Sequence, residues 1–245
     1  MPTQKLKISI IIPCYNEQEG IPNLAEKLIS TIKELQLEYQ PELILVDDGS
    51  TDQTYSLMQQ YFSQLPNTKI IKHSQNQNLG GALRTGFANA TGTYISALDS
   101  DCTYHPHLLK TMIKMLDDQT YIVTVSPYHP QGKVNNVPAY RIFLSKSISR
   151  IYRILLHSDI YTFTAMVRIY KKPVIENIQF RSNTFLSVTE IMIKSLLKNY
   201  KVKELPAELN VRKFGASKMK TLRVIGDHLT LIQQIIRYKL FKKEF

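Results

Sequence analysis

The chain has 245 residues, 43% of them hydrophobic and 21% charged, which suits one large domain and excludes a disordered, collagen-like or low-complexity protein. Its two cysteines, Cys14 and Cys102, exclude a disulfide scaffold and a four-ligand zinc site, and no stretch reaches the ~18 apolar residues that span a bilayer. The net charge of +11 is uneven: residues 1–120 carry 9 Lys/Arg against 13 Asp/Glu and residues 121–245 carry 22 against 7, so the second half calls for an anionic partner such as nucleic acid, a phosphorylated substrate or an anionic membrane surface.

In chain order, residues 7–14 (KISIIIPC) form a short β-branched run that predicts a buried strand ending at Pro13, which lacks a ladder donor. Ile21, Leu24, Leu28, Ile32 and Leu35 fall at helical spacing within 17–37. A second strand is expected at 42–46, closed by Asp47-Asp48-Gly49-Ser50. Ser50 or Thr51 is placed to cap the next helix, whose face carries Leu57, Met58, Tyr61 and Phe62. Further strands are expected at 68–72, 93–98 and 121–125, with helices at 80–90 and 106–118 between them. This β-α alternation predicts an α/β fold with a mostly parallel sheet covered on both faces, whose ligands bind beyond the carboxyl ends of the strands. Polar groups stand at those ends: Tyr15-Asn16-Glu17, Asp47-Asp48 and Asp99-Ser100-Asp101.

After residue 126 the pattern changes. Residues 126–140 read as a loop and 141–156 (RIFLSKSISRIYRILL) as a basic amphipathic helix. A strand near 163–170, a helix at 185–199 and a strand near 201–211 follow. The tail helix, 221–243, has Leu222, Ile225, Leu229, Ile232, Ile236 and Leu240 on one stripe. Three parts result: 1–125, 126–220 and 221–245.

Asp99 and Asp101 are hard oxygen ligands two residues apart at a strand end, suited to Mg²⁺ or Mn²⁺ with substrate phosphates completing the shell; alone, such a pair is more often a surface turn. Asp47 and Asp48 could accept bonds from a nucleoside or serve the loop itself. Asn16 reads as a loop brace. The segment R-K-F-G-A-S-K, from Arg212 to Lys218, is a basic glycine-containing loop able to wrap a diphosphate or simply face solvent. There is no phosphate-loop signature, and no G-x-G-x-x-G follows the first strand. Cys14 and Cys102 read as small strand-end residues, and His105 and His107 as helix-start residues.

IIPCYNE, LVDDGSTD, NLGGALRTGF, ALDSD and RKFGASK occur with the order and spacing of the inverting family 2 glycosyltransferases, and the chain most resembles their dolichyl- and polyprenyl-phosphate sugar synthase branch over roughly residues 7–220. That resemblance implies a GT-A fold and a GDP- or UDP-sugar donor. It implies that Pro13, Tyr15, Glu17 and Asp48 hold the nucleoside and that Asp47 braces the loop. Asp99, Ser100 and Asp101 match the motif for the divalent ion and donor diphosphate, and Arg212 with Lys218 the loop that closes on it. Glu190 matches an acidic position in the helix beneath the active site. Arg141 and Ser145 resemble an acceptor segment that binds lipid phosphate, and Arg168 is the surviving arginine of another. Three departures stand out: Thr103 where relatives often have Gln, Pro127 in place of an arginine, and Thr-Phe-Thr-Ala-Met-Val before Arg168.

The function this implies is inverting transfer of a sugar to a polyprenyl phosphate, on the cytoplasmic face of a membrane, peripherally bound through the two basic helices. The short N-terminal apolar run, unlike a signal peptide, agrees with that location. A membrane-embedded partner subunit would replace the transmembrane helices some relatives carry. Transfer to a glycan hydroxyl is the alternative favoured by the altered acceptor motifs. A nucleic-acid-binding role is disfavoured because the aromatics of the basic half match no recognition motif, and a non-catalytic nucleotide-sugar binder is disfavoured by the intact Asp99 and Asp101.

Overall fold

The protein is described here by a computed structural model that covers residues 5–214 and 221–241. Its centre is a seven-stranded sheet of order β3-β2-β1-β4-β7-β5-β8. The strands are β1 (Lys7–Cys14), β2 (Gln40–Asp47), β3 (Thr68–Lys72), β4 (Tyr94–Ala97), β5 (Thr120–Ser126), β7 (Arg168–Lys171) and β8 (Lys201–Pro206). All neighbouring pairs are parallel except those of β7, which runs antiparallel to both β4 and β5. The mostly parallel sheet read from the sequence is therefore present, with one reversed strand inserted. A two-stranded parallel pair stands apart: β6 (Lys133–Val134), inside the segment expected to be loop, and β9 (Glu208–Leu209), at the end of the strand expected near 201–211.

The strand cores are apolar on both sides because helices cover both faces. In β1, Ile8, Ile10, Ile11 and Ile12 are all inaccessible to solvent. On one face, β1's Ile8, Ile10 and Ile12 pack with α1 (Ile21–Leu35), α2 (Thr54–Phe62) and α4 (Leu108–Lys114). The five α1 positions spaced at three and four residues are buried as their periodicity requires. On the other face lie α3 (Asn78–Asn89), α6 (Lys172–Asn177) and α7 (Leu186–Leu197). Helix α3 approaches the sheet closely because Gly86 has no Cβ to strike Ile11. At its start, Gly80 lies against the 182–183 backbone and its N–H donates to Asn183 O at 2.8 Å. A methyl at Gly80 would collide with the Ser182 carbonyl. Gly80→Ala should therefore cost about 1–3 kcal/mol by overpacking and lower the melting temperature by roughly 5 °C. An unchanged melt would show that the contact yields freely.

Two local expectations are corrected. Neither Ser50 nor Thr51 caps α2. Asp52 does so instead, its Oδ1 accepting from Thr54 N at 2.9 Å, while Ser50 and Thr51 are drawn across to Asn16. The tail helix α8 (Thr221–Phe241) does not use the expected stripe as its core face. His228, Leu231 and Ile235 are the buried positions, packed against Tyr152 of α5 (Ala139–Leu156) and against α7, whereas Ile225, Leu229, Ile236 and Leu240 face outward.

Candidate functional site

The middle of the sheet places the site. Because β1 pairs in parallel with both β2 and β4, with Cys14 opposite Asp47 and Ile11 opposite Ala97, the polar groups that follow all three strands emerge at one edge. Loop hydrogen bonds continue that order: Asp48 N donates to Cys14 O at 2.8 Å, and Leu98 N donates to Ile11 O at 2.9 Å.

The loop after β1 is fixed by residues of the loop after β2. Asn16 adopts a left-handed conformation (φ 51°), its N–H donates to Ser50 Oγ at 2.9 Å, and its Oδ1 accepts from Thr51 N at 2.9 Å. It is the brace expected of it. Glu17 N donates to Thr54 Oγ1 at 2.7 Å, which holds the nearly buried Glu17 carboxylate at the floor of the cleft. Pro13 is buried behind this loop and Tyr15 is partly exposed beside it.

The two aspartates after β2 are both tied into the loops around them. Asp48 Oδ1 accepts from His73 Nδ1 at 2.7 Å and from Gln77 N at 2.8 Å, so it ties together the ends of β2, β3 and the approach to α3. Burial nevertheless pushes its carboxyl up, against those stabilising bonds. With His73 Nδ1–H donating, Nε2 accepts from the Thr85 hydroxyl at 2.8 Å. Asp47 Oδ1 accepts from Ser50 N at 3.2 Å, while its buried Oδ2 lacks a hydrogen-bond partner among the described residues. Both residues therefore brace loops. His73, a lone histidine one residue past an apolar strand, is a site residue that sequence reasoning missed.

The acidic cluster carries the electrostatics. Arg212 reaches in from beyond β9 and bridges two carboxylates, Nε to Asp101 Oδ2 at 2.8 Å and Nη2 to Glu17 Oε1 at 3.0 Å. Burial lowers the Arg212 pKa, but Asp101 and Glu17 more than offset that and raise it. Asp101 Oδ1 also accepts from Thr103 N at 3.0 Å. Asp99 is partly exposed to the cleft but crowded by protein; burial first, then the charge of Asp101, push its carboxyl up to about 8, against the opposing pull of Arg212. Ser100 between them is buried. So much clustered negative charge fits a divalent cation, with Asp99 and Asp101 as hard oxygen donors and substrate phosphates completing the shell. No set of three or more His, Cys, Asp or Glu side chains among the described residues forms a self-sufficient metal cage.

A pH dependence follows. Asp99 holds its proton more tightly folded than unfolded, so its contribution to stability is complete below the unfolded carboxylate range near ~4 and is lost progressively as pH rises towards about 8. Metal-free protein should lose stability over that window relative to Asp99→Asn, and Mn²⁺ should stabilise the native protein more at pH 8 than at pH 6. Parallel melting curves for the two proteins in chelator would count against this origin.

In α5, Ser145 Oγ lies 2.7 Å from Thr164 Oγ1 and the Arg141 Nε–H donates to Tyr140 Oη at 3.1 Å. Lys146, exposed and overlooked in the sequence, stands 5.4 Å from the centroid of the Tyr128 ring. It supplies a cation near the place where Pro127 replaces an arginine.

Two expected roles are revised. Arg168 is wholly buried and not at the acceptor cleft: its Nε donates to Thr124 Oγ1 at 3.2 Å, Nη2 to Phe163 O at 2.6 Å, and Nη1 to Val188 O. It sits at the start of reversed strand β7, where three core elements need a donor. Glu190 is buried beneath the 180–184 segment. Its carboxylate accepts from Arg181 N at 3.0 Å and Ser182 N at 2.9 Å and pairs with Lys194 at 2.8 Å, so it positions that segment rather than presenting a free base. Lys218 lies outside the described residues. The two cysteine thiols are buried, and burial pushes Cys102 up to about 11 and Cys14 well above its ordinary value, so neither is a nucleophile at neutral pH.

Comparison with known proteins agrees with this geometry. The chain is 30% identical over 236 residues to the dolichol-phosphate mannosyltransferase of Pyrococcus furiosus, an alignment covering 96% of this chain and 65% of that protein. The chain thus spans about two thirds of that relative's length. Two solved structures of glucosyl-3-phosphoglycerate synthase from Mycobacterium tuberculosis share the fold. One is a complex with Mn²⁺, UDP and glucosyl-3-phosphoglycerate (TM-score 0.67, 16% identity, 95% of this chain and 79% of that one). The other holds Mg²⁺ and UDP (TM-score 0.67, 17% identity, 95% and 78%). Residues 9–179 match the sequence profile of glycosyl transferase family 2, and the chain belongs to that family.

Proposed function

We propose that the protein transfers a sugar from a nucleoside diphosphate sugar to a polyprenyl monophosphate, with inversion at the anomeric carbon. The observation that carries this reading is the acidic cluster of Glu17, Asp99 and Asp101 gathered at Arg212, with no free base beside it among the described residues. Arg141, Lys146 and Ser145 of α5 are proposed to receive the acceptor phosphate. Glu190, the acidic residue of α7 expected beneath the active site, is engaged in holding the 180–184 segment. A phosphate monoester needs no strong base, since it is already anionic at pH 7 with a second pKa near ~6; a hydroxyl acceptor would need one. The acceptor oxygen forms the new bond to the anomeric carbon, and the bond to the donor diphosphate breaks with its electron pair on the leaving group. Arg212 stabilises that growing charge, and Lys218 is proposed to join it. Pro13, Tyr15 and the loops braced by Asp47 and Asp48 receive the nucleoside. Asp99 and Asp101 would hold Mg²⁺ or Mn²⁺, which neutralises diphosphate charge when bound. Support comes from the similarity to a dolichol-phosphate mannosyltransferase, and the direct test is metal-dependent entry of labelled sugar into the organic phase.

The basic helices support a membrane-surface location. Helices α5 and α8 pack on each other through Tyr152, Leu231 and Ile235, and Tyr152 Oη lies 2.9 Å from His228 Nδ1. Their outer surfaces leave Phe143 70%, Ile154 65% and Leu240 69% exposed. Lys146, Arg150, Arg237 and Lys239 are exposed among these apolar side chains. Apolar insertion plus about 1 kcal/mol per basic residue suits an anionic interface. Among the described residues no helix is long and apolar enough to cross a membrane. The protein should pellet with anionic vesicles at low salt and less at high salt, and Phe143→Ser with Leu240→Ser should weaken pelleting. Absence of pelleting at either salt would contradict this location.

A further inference from the structure

Beside Asp101, which itself forms part of the wall, lies a cavity of about 320 Å³. Asn23 and Lys27 of α1 form one wall, Cys102 and His105 a second, and Lys213 with Asn210 a third. Lys27 is half-buried, and neither Lys27 nor Lys213 forms an ion pair among the described residues. A half-buried ammonium without a counter-charge is costly unless an anion comes to it. Two carboxylates stand close by, and both are committed. Asp101 is held by Arg212 at 2.8 Å, and Glu208 accepts from Asn135. His105 Nδ1 accepts from His107 N at 3.2 Å, which leaves Nε2–H as a donor on the neutral ring. Burial, then His107 and Lys27, pull the His105 pKa down, in keeping with a ring crowded by positive charge. The backbone is shaped for this wall too: Cys102 takes a left-handed conformation (φ 53°) that a cysteine seldom adopts, turning the chain directly after Asp101.

We propose that this cavity is an anion site for a phosphate group, adjoining the diphosphate position at Asp99, Asp101 and Arg212 across the shared Asp101, with Lys27, Lys213 and His105 as its donors. The phosphate is either that of the acceptor monoester or free inorganic phosphate. Two ammonium groups with a ring N–H and side-chain amides match the charge and acceptor count of a phosphate.

The site is tested by titrating the full-length protein with inorganic phosphate and following its histidine ring protons by NMR, which requires no turnover. The His105 signals should move saturably at millimolar phosphate. Lys27→Gln and, separately, Lys213→Gln should weaken the apparent affinity roughly tenfold, as expected for loss of one charge-assisted contact, while Arg212→Ala should leave the His105 response in place. Unmoved His105 signals, native affinity in either lysine variant, or loss of the response in Arg212→Ala would overturn the proposal. The source is then read from kinetics with a short-chain prenyl phosphate. A KM for that acceptor raised about tenfold in Lys27→Gln, with kcat and donor KM unchanged, identifies the acceptor phosphate. An unchanged acceptor KM beside weakened phosphate binding identifies free phosphate. Inactivity of every protein in the transfer assay would count against the proposed reaction and leave the NMR result standing.

Discussion

Asp101→Ala will lower sugar transfer by about 10²–10³-fold or more while the protein still folds. The side chain is partly exposed, and its contacts are Arg212 and the Thr103 amide, so its removal opens no core cavity. What it removes is one of the two carboxylates that would hold the divalent ion, together with the partner that aims Arg212 across the cleft. The loss should fall on kcat more than on donor KM, because the charge being stabilised grows as the diphosphate departs. Asp101→Asn should be nearly as impaired, since an amide keeps the shape and loses the charge. Circular dichroism and melting curves would establish the fold, and steady-state kinetics the loss. A folded Asp101→Ala protein with native turnover would remove the acidic motif from the mechanism.

The opposite profile is expected of Arg168→Ala. The guanidinium lies in the core, bonded to Thr124, Phe163 and Val188, and burial draws its pKa down. Removing it takes a charged donor from the Phe163 and Val188 carbonyls and the Thr124 hydroxyl and opens a void the size of a long side chain. A loss of about 3–5 kcal/mol is expected. For a chain of this size that is roughly 10 °C or more in melting temperature. Whatever protein remains folded should keep its KM for a prenyl phosphate acceptor. A stable Arg168→Ala protein with a raised acceptor KM would restore the acceptor-binding role that the sequence suggested.

That contrast shows what the sequence reveals and what it hides. The Asp99–Asp101 cluster was legible because it follows an apolar strand, and parallel strands deliver their carboxyl ends to one edge. The α1 stripe was legible because five apolar residues keep a helical spacing. Arg168 was misread because its role came from the resemblance alone; the apolar residues around it, Ala165, Met166, Val167, Ile169 and Tyr170, were a local sign of burial. That burial depends on reversed strand β7 bringing it between β5 and α7. Glu190 was placed on the correct helix, yet its commitment to the Arg181 and Ser182 amides is a contact made by the tertiary fold. The tail helix misled in another way. Its apolar residues are numerous enough to draw two stripes, and only packing against α5 and α7 selects His228, Leu231 and Ile235 as the inner one. The cap of α2 went to Asp52 because Ser50 and Thr51 were claimed by Asn16 from a loop 34 and 35 residues away.

The central claim is transfer to a lipid phosphate, and one assay addresses it directly. Sugar-labelled GDP-mannose, UDP-glucose, UDP-galactose and UDP-GlcNAc are each incubated with the full chain and Mn²⁺ or Mg²⁺, with and without a polyprenyl phosphate, and the organic phase is counted. The account predicts label in the organic phase from one donor, only when both the divalent ion and the polyprenyl phosphate are present. Donor consumed with the label left in water, whether or not the lipid is supplied, would contradict it and move the acceptor to a hydroxyl or to water.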